Sequence, residues 1–230
     1  MKIPPEQQYK FVKLSLPNGE EADNPSVLLH ACCAPCSAAI IECMLRNDIR
    51  PTVYFSNSNI YPLEEYETRK HEIIRFLQEQ DVPYVEDLYD HEEWRSYIKG
   101  YENEPERGSR CSLCFRYRLH HAARYAQAHG FRYLTTTLAS SRWKNIHQID
   151  QAGHQAVSDC PNVEWWEQNW RKGGLQMRRG ELLRINQFYN QLYCGCEFSL
   201  ASSQAMQRQA TSRIKKVYQL ESDTPFYMLL

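Results

Sequence analysis

Three thiols fall within five consecutive positions in Cys32-Cys33-Ala34-Pro35-Cys36, two more stand at Cys111 and Cys114, and a last pair flanks a single glycine at Cys194-Gly195-Cys196. Cys43 and Cys160 stand alone, Cys43 at a helical spacing where a thiol serves as a small hydrophobe. The first two groups suit metal or redox chemistry. A Cys-x-x-Cys bend aims two sulfurs at one point, and Cys32 with Cys33 can present two more to an iron–sulfur cluster. Cys33 and Cys36 with Cys111 and Cys114 make two regular halves that suit zinc, and bare redox thiols are a third reading. Cys194 and Cys196 form a different object. A disulfide between them closes a small strained ring that glycine tolerates, and strained disulfides exchange readily, which suits electron relay. Further metal ligation or plain thiols are the alternatives there.

Positioning these groups requires particular elements. Val27-Leu28-Leu29 reads as a buried strand ending at His30, and Pro35 opens a helix continuing through Ser37–Leu45. The first thiols then sit at the carboxyl edge of a sheet beside a helix N-terminus, where partial positive charge favours thiolate. Further strands are expected at 49–55, 82–85, 131–138 and 163–166, and helices at 63–80, 91–101, 110–129 (closed by Gly130), 146–157 and 175–192. Strands alternating with helices predict an α/β fold with three layers, a mostly parallel sheet covered by helices on both faces, Rossmann-like, plus a helical C-terminal extension. The expected organisation is an N-terminal arm over 1–24, a catalytic domain over 25–200 and an extension over 201–230.

Composition narrows the class. At 42% hydrophobic and 12% aromatic, 230 residues can bury one sizeable core. The polar first residues lack a signal-peptide core and no run reaches the roughly 18 apolar residues of a membrane span, so a cytoplasmic protein without a membrane partner is expected. Nine cysteines in a reducing compartment speak against a disulfide framework. No glycine loop of the phosphate-cradling type follows the first strand, which argues against nucleoside triphosphate chemistry. Net charge is −1, yet Glu106 to Asp150 holds eight Lys or Arg against two acids. That stretch reads either as solvated helix faces or as a phosphate-binding surface.

The residues together resemble the epoxyqueuosine reductase QueH family. The resemblance rests on Leu29-His30 with Cys32-Cys33-Ala34-Pro35-Cys36-Ser37, on Asn57-x-Asn59-Ile60-x-Pro62 with Glu65-Tyr66 and Arg69, and on Gly108-x-Arg110-Cys111-x-x-Cys114-Phe115-x-x-Arg118-Leu119. Thr136-Thr137-Leu138, Lys144-Asn145 and Tyr193-Cys194-Gly195-Cys196-x-Phe198-Ser199 complete it, over roughly residues 26 to 200. The resemblance implies a tRNA-modifying oxidoreductase. Its reaction is two-electron reductive removal of the epoxide oxygen of epoxyqueuosine at the tRNA wobble position, without cobalamin. It also implies that Cys32, Cys33, Cys111 and Cys114 ligate a [4Fe-4S] cluster, that Cys194 and Cys196 form a redox-active disulfide, and that an additional iron ion accompanies the cluster. The electron donor is unidentified. Arg142, Asn169 and Asn190 depart from the family's usual residues.

Losing the epoxide oxygen requires two electrons, an acid for the departing oxygen and a hold on the nucleotide. Candidate acid or positioning groups are His30, Asn57, Asn59, Glu65, Tyr66 and Lys144. His30 also reads as a satisfied core histidine, Tyr66 as core filling and Glu65 with Arg69 as a helix pair. For RNA phosphates the candidates are Arg110, Arg116, Arg118, Arg124, Arg171, Lys172, Arg178 and Arg179, with Trp143, Trp165 or Trp166 to stack a base. Two rival functions use the same residues: a zinc-stabilised RNA-binding module without redox activity, and a metal-free thiol-disulfide oxidoreductase.

Overall fold

The computed structural model describes residues 12–19 and 25–218. By packing, the chain divides into two compact units, Met1–Asn190 and Gln191–Leu230. The first unit holds a five-stranded sheet in the order β3-β2-β1-β4-β5, every neighbouring pair parallel. Its strands are β1 (Val27–Ala31), β2 (Thr52–Phe55), β3 (Tyr84–Glu86), β4 (Tyr133–Thr136) and β5 (Glu164–Trp165). Helices α1 (Ala34–Leu45), α2 (Leu63–Glu79), α3 (His91–Tyr97), α4 (Ser109–Ala128), α5 (Ile146–Val157) and α6 (Leu175–Ile185) surround it. In the second unit α7 spans Glu197–Tyr218, so the chain runs helically across the boundary expected at residue 200.

Strand alternation makes the layers. Val27, Leu29 and Ala31 of β1 pack on one side with residues of α1, α2 and α6. Leu28 packs on the other with Phe115, Leu119 and Ala122 of α4 and with Ile149 and Ala152 of α5. Successive strand side chains point to opposite faces, so a strand buried on both faces reads as a continuous apolar run. The architecture is the expected three-layer α/β sheet. Helix α1 is buried through almost its whole length, from Ala34 to Met44, because it lies between the sheet and α6.

Several boundaries shift from the sequence reading. The expected strand over 131–138 keeps only Tyr133–Thr136, the residues paired with β1, and Thr137–Ser140 closes into a 3-10 turn. Thr136 Oγ1 accepts from the Leu138 N–H at 3.2 Å, which diverts the chain from the ladder. Helix α3 ends at Tyr97 rather than Tyr101, and α6 at Ile185. Within the expected arm, residues 12–19 are packed against the domain. Asn47 clamps Val12 and Leu14 by hydrogen bonds of 2.9 Å each, and Trp166 Nε1 donates to the Ser15 carbonyl at 2.9 Å. Residues 1–11 and 20–24 of that arm, and 219–230 of the extension, lie outside the described residues.

Trp165 and Trp166 are 5% and 2% exposed, so they are core groups and not base-stacking platforms. Trp165 lies flat against α5 at Gly153, where an added Cβ would fall 2.2 Å from the indole. Gly153→Ala should therefore lose about 1–3 kcal/mol to overpacking, more than the ~1 kcal/mol gained in helix propensity. Urea unfolding measures this, and a variant more stable than the parent would show that Trp165 can swing aside.

Candidate metal centre

Strand order reverses at β1. The chain leaves β1 through α1 to β2 on one side, and later returns to β4 on the other, so the carboxyl ends of β1 and β4 form the switch point beside which open α/β sheets bind ligands. Cys32 is the first residue past β1. Its N–H donates to Thr137 Oγ1 at 3.2 Å, and the same hydroxyl lies 3.5 Å from its Sγ. Cys33 is the extended N-cap of α1, with Pro35 in the first turn and the Ser37 hydroxyl donating to its carbonyl at 2.8 Å. The Cys32 and Cys33 sulfurs are 3.8 Å apart, and those of Cys32, Cys33 and Cys36 all lie within 4.8 Å of one another. Cys36 was outside the ligand set implied by the family resemblance. Its four-residue spacing from Cys32 was the available signal, because the first turn of α1 folds it back over the strand end.

Charge is unevenly shared among the three. Hydrogen bonds from the Cys33 and Cys36 thiols hold the Cys32 pKa well below the ordinary thiol range, Lys144 and Arg118 add to this, and burial opposes it. Hydrogen bonding to Cys32 pushes the Cys33 and Cys36 thiols up, with burial adding to both. Cys32 is thus driven toward thiolate. Thiolate is the form that ligates metal.

The second cysteine pair opens α4. Cys114 is buried and Cys111 half-buried, and Cys111 packs against the same apolar cluster as Cys32. Strand parity explains this meeting, since Cys32 continues the Leu28 face of β1 that α4 covers. Cys111 and Cys114 are not part of the 4.8 Å group. A four-iron cluster takes one thiolate on each iron, so its ligand sulfurs stand further apart than those around a single ion. A thiolate-ligated metal group fits this donor set: buried and half-buried thiols from two elements, with Cys32 and Cys111 packed on one apolar cluster and cationic side chains nearby.

Arg118, one turn beyond Cys114, ties α4 to the strand ends. Fully buried, it donates to the Ser56 carbonyl at 3.2 Å and to Asn57 Oδ1, while Asn57 Nδ2 donates to the Ala31 carbonyl at 2.9 Å. His30 sits inside this frame. Its Nε2 faces the Ser56 carbonyl at 3.1 Å and its Nδ1 the Thr136 hydroxyl at 2.7 Å. A carbonyl can only accept, so Nε2 carries the proton. Burial, then the Arg118 charge, lowers the His30 pKa to about 3, and the ring is neutral. Both nitrogens are thereby committed to the protein.

The other sequence candidates also have protein partners. Glu65 Oε1 accepts from Arg69 Nε at 2.7 Å and its Oε2 from the Tyr189 hydroxyl at 2.9 Å, while Tyr66 is core and donates to Glu86 at 3.3 Å. Asn59 is buried with its Oδ1 lacking any partner among the described residues. Arg110 donates to the Glu102 carbonyl at 2.6 Å and to that of Glu104, shaping the loop ahead of α4. Lys144 is half-buried, its charge felt at Cys32 and Cys36. Arg178 is buried against Glu42 at 2.8 Å, so with Arg110 and Arg118 it leaves the set facing solvent. Arg124 and Lys172 are exposed, and Arg116, Arg171 and Arg179 are half-buried.

In the second unit Cys194 and Cys196 are thiols, Cys194 exposed. Gly195 between them has φ +130°, which a side chain would resist, and its N–H donates to Ser199 Oγ at 3.2 Å. Cys196 Sγ lies 3.4 Å from the same hydroxyl. Among the described residues no helix is long and apolar enough to cross a membrane.

Comparison with known proteins places these features in company. Residues 27–202 match the family model described as epoxyqueuosine reductase QueH. A protein of that name from Haemophilus influenzae is 45% identical over 203 residues, covering 88% of this chain and 81% of the relative. The Acinetobacter baylyi protein of that name is 43% identical over 189 residues, 82% of this chain and 85% of its own length. One from Thermotoga maritima is 32% identical over 178 residues, 76% and 90% of the two chains.

The frame around Arg118 also contains a titrating pair. His121 of α4 meets Asp87 at 3.1 Å, and Asp87 in turn accepts from the Ser56 hydroxyl at 2.6 Å. The hydrogen bond to Asp87 raises the His121 pKa above 6.5; burial pushes Asp87 up, but bonds from His121, Ser56 and Tyr54 outweigh it and leave Asp87 below 3.8. The folded state holds the His121 proton more tightly than the unfolded chain. Its contribution is therefore complete below pH 6.5 and is lost as pH rises through the raised value. Partial exposure limits it to about 1 kcal/mol. Urea unfolding across that range should show the decline, and His121→Gln should flatten it; an unchanged slope would remove the pair from the ledger.

Proposed function

The chain belongs to the epoxyqueuosine reductase QueH family, and on that premise we propose that it removes the epoxide oxygen of epoxyqueuosine at the wobble position of tRNA. The product is queuosine-tRNA, formed in the cytoplasm without cobalamin. The observation that carries this reading is the gathering of three thiols, one of them driven toward thiolate, at the switch point where an α/β sheet binds its ligands.

In this reading Cys32, Cys33, Cys111 and Cys114 would hold a [4Fe-4S] cluster, and Cys36, its sulfur within 4.8 Å of those of Cys32 and Cys33, would offer a thiolate to an additional iron ion. When bound, such a group supplies electron transfer and a Lewis acid for the departing oxygen. The protein's own residues do the rest. Lys144 and Arg118 offset the negative charge of the thiolates, and His30, held neutral, fixes the end of β1 without competing for protons. The reaction consumes two electrons and two protons, converting the epoxide to an alkene and water. Oxidation of the Cys194 and Cys196 thiols to a disulfide releases two electrons and two protons, so one dithiol balances one turnover. An unidentified external reductant then restores the thiols.

A second reading has one observation in its favour. The 3.8 Å between the Cys32 and Cys33 sulfurs matches the edge of a single tetrahedral ion, ~3.8 Å for metal–sulfur bonds of ~2.3 Å. That geometry suits the zinc-stabilised RNA-binding module.

Anaerobic purification separates the two. The reductase reading expects a brown protein with about four iron and four sulfide per chain, lost in Cys111→Ser and Cys114→Ser variants; a colourless zinc protein that leaves epoxyqueuosine intact would refute it. Replacing Cys194 and Cys196 together by Ser should preserve the visible spectrum and abolish multiple turnover. Undiminished turnover would dispose of the relay.

A further inference from the structure

We propose that the loop carrying Arg142 and Trp143 is a nucleotide platform, in which an unpaired base of the anticodon loop stacks on the Trp143 ring and its phosphate lies among Arg107, Lys144 and Arg171. This rests on the tRNA reading above and goes beyond it by naming the surface that holds the RNA.

Trp143 is 67% exposed, while Trp94, Trp165, Trp166 and Trp170 are buried. An indole held in water presents an open ring face on which a base can stack. The Arg142 guanidinium lies over it, 5.2 Å from the ring centroid, and a base on the opposite face completes a cation–aromatic–base stack.

The loop is held stiffly by cations. Arg107 Nε donates to the Trp143 carbonyl and Arg171 Nη2 to the Lys144 carbonyl, each at 2.7 Å, and Gln148 Nε2 fixes the Arg107 carbonyl at 2.8 Å. Two guanidinium groups thus converge on consecutive peptide units. Burial and then the Arg107 charge lower the Arg171 pKa, with Asp150 opposing, and Arg171 Nε is buried without a partner among the described residues. Like charges crowded around an unmet donor ask for an anion. A phosphodiester supplies that anion together with a base to stack, which an acidic peptide does not.

The platform borders the thiols. The Arg107 N–H lies 3.3 Å from Cys111 Sγ, and the Lys144 charge is felt at Cys32 and Cys36. A base stacked on Trp143 would therefore be a neighbour of the one undergoing reduction.

The test uses anaerobically purified holoenzyme and an unmodified anticodon stem-loop RNA. Because Trp143 is the exposed indole, acrylamide quenching of tryptophan fluorescence reports on it, and RNA binding should shield it. Trp143→Ala should weaken binding about five- to 150-fold, the equivalent of losing a base–aromatic stack, while Trp143→Phe stays within about threefold of the parent. With epoxyqueuosine-tRNA the Ala variant should raise KM and leave kcat near the parent value. Equal RNA affinity for Trp143→Ala, or quenching unchanged by RNA, overturns the platform, as does a variant impaired only toward a protein reductant. If the parent reduces epoxyqueuosine-tRNA normally in such a case, the functional reading survives. If the parent neither binds RNA nor reduces the tRNA, both fall together.

Discussion

A single buried guanidinium ties the helix bearing Cys111 and Cys114 to the strand end bearing Cys32. Arg118 rises from α4 one turn past Cys114 and donates to Ser56 and Asn57 beyond β2, and Asn57 passes the restraint to the Ala31 carbonyl beside Cys32. A charged group excluded from water is tolerated only when its donors are met, so α4 has few other places to sit. The helix that carries Cys111 and Cys114 is thereby docked against the strand that delivers Cys32. Asp87, bonded to both Ser56 and His121, closes the frame from β3.

The same residues set the electrostatics. Buried thiolates repel one another, and each would return to the neutral thiol unless positive charge lay nearby. Arg118 and Lys144 provide it at Cys32, while burial strips the adjacent His30 of its proton. Neutral His30 acts as a strut between Ser56 and Thr136, keeping β1 in register with the turns that follow β2 and β4. A cationic imidazole there would compete with metal for the thiolates.

Basic residues divide into two populations that look alike in sequence. Arg110, Arg118 and Arg178 are interior clamps, each saturated by carbonyls, an amide or a carboxylate. Arg107, Lys144 and Arg171 gather instead around one surface loop beside an exposed indole. The second group borders the thiols, with the Arg107 N–H 3.3 Å from Cys111 Sγ.

Much of this was legible in the chain. Continuous apolar strands separated by amphipathic helices dictate a covered parallel sheet, because neither element can bury its apolar surface alone. Cysteine spacing marked the centre, since sulfur chemistry demands specific types at short separations. What composition could not reveal was direction. Whether Trp165 or Trp143 meets solvent and whether Arg178 seeks phosphate or Glu42 depend on which face each side chain presents, and that is set by residues distant in sequence. Local pattern determined the elements and the kind of chemistry; long-range packing, through strand parity and the Arg118 frame, decided which of the candidate groups share a site.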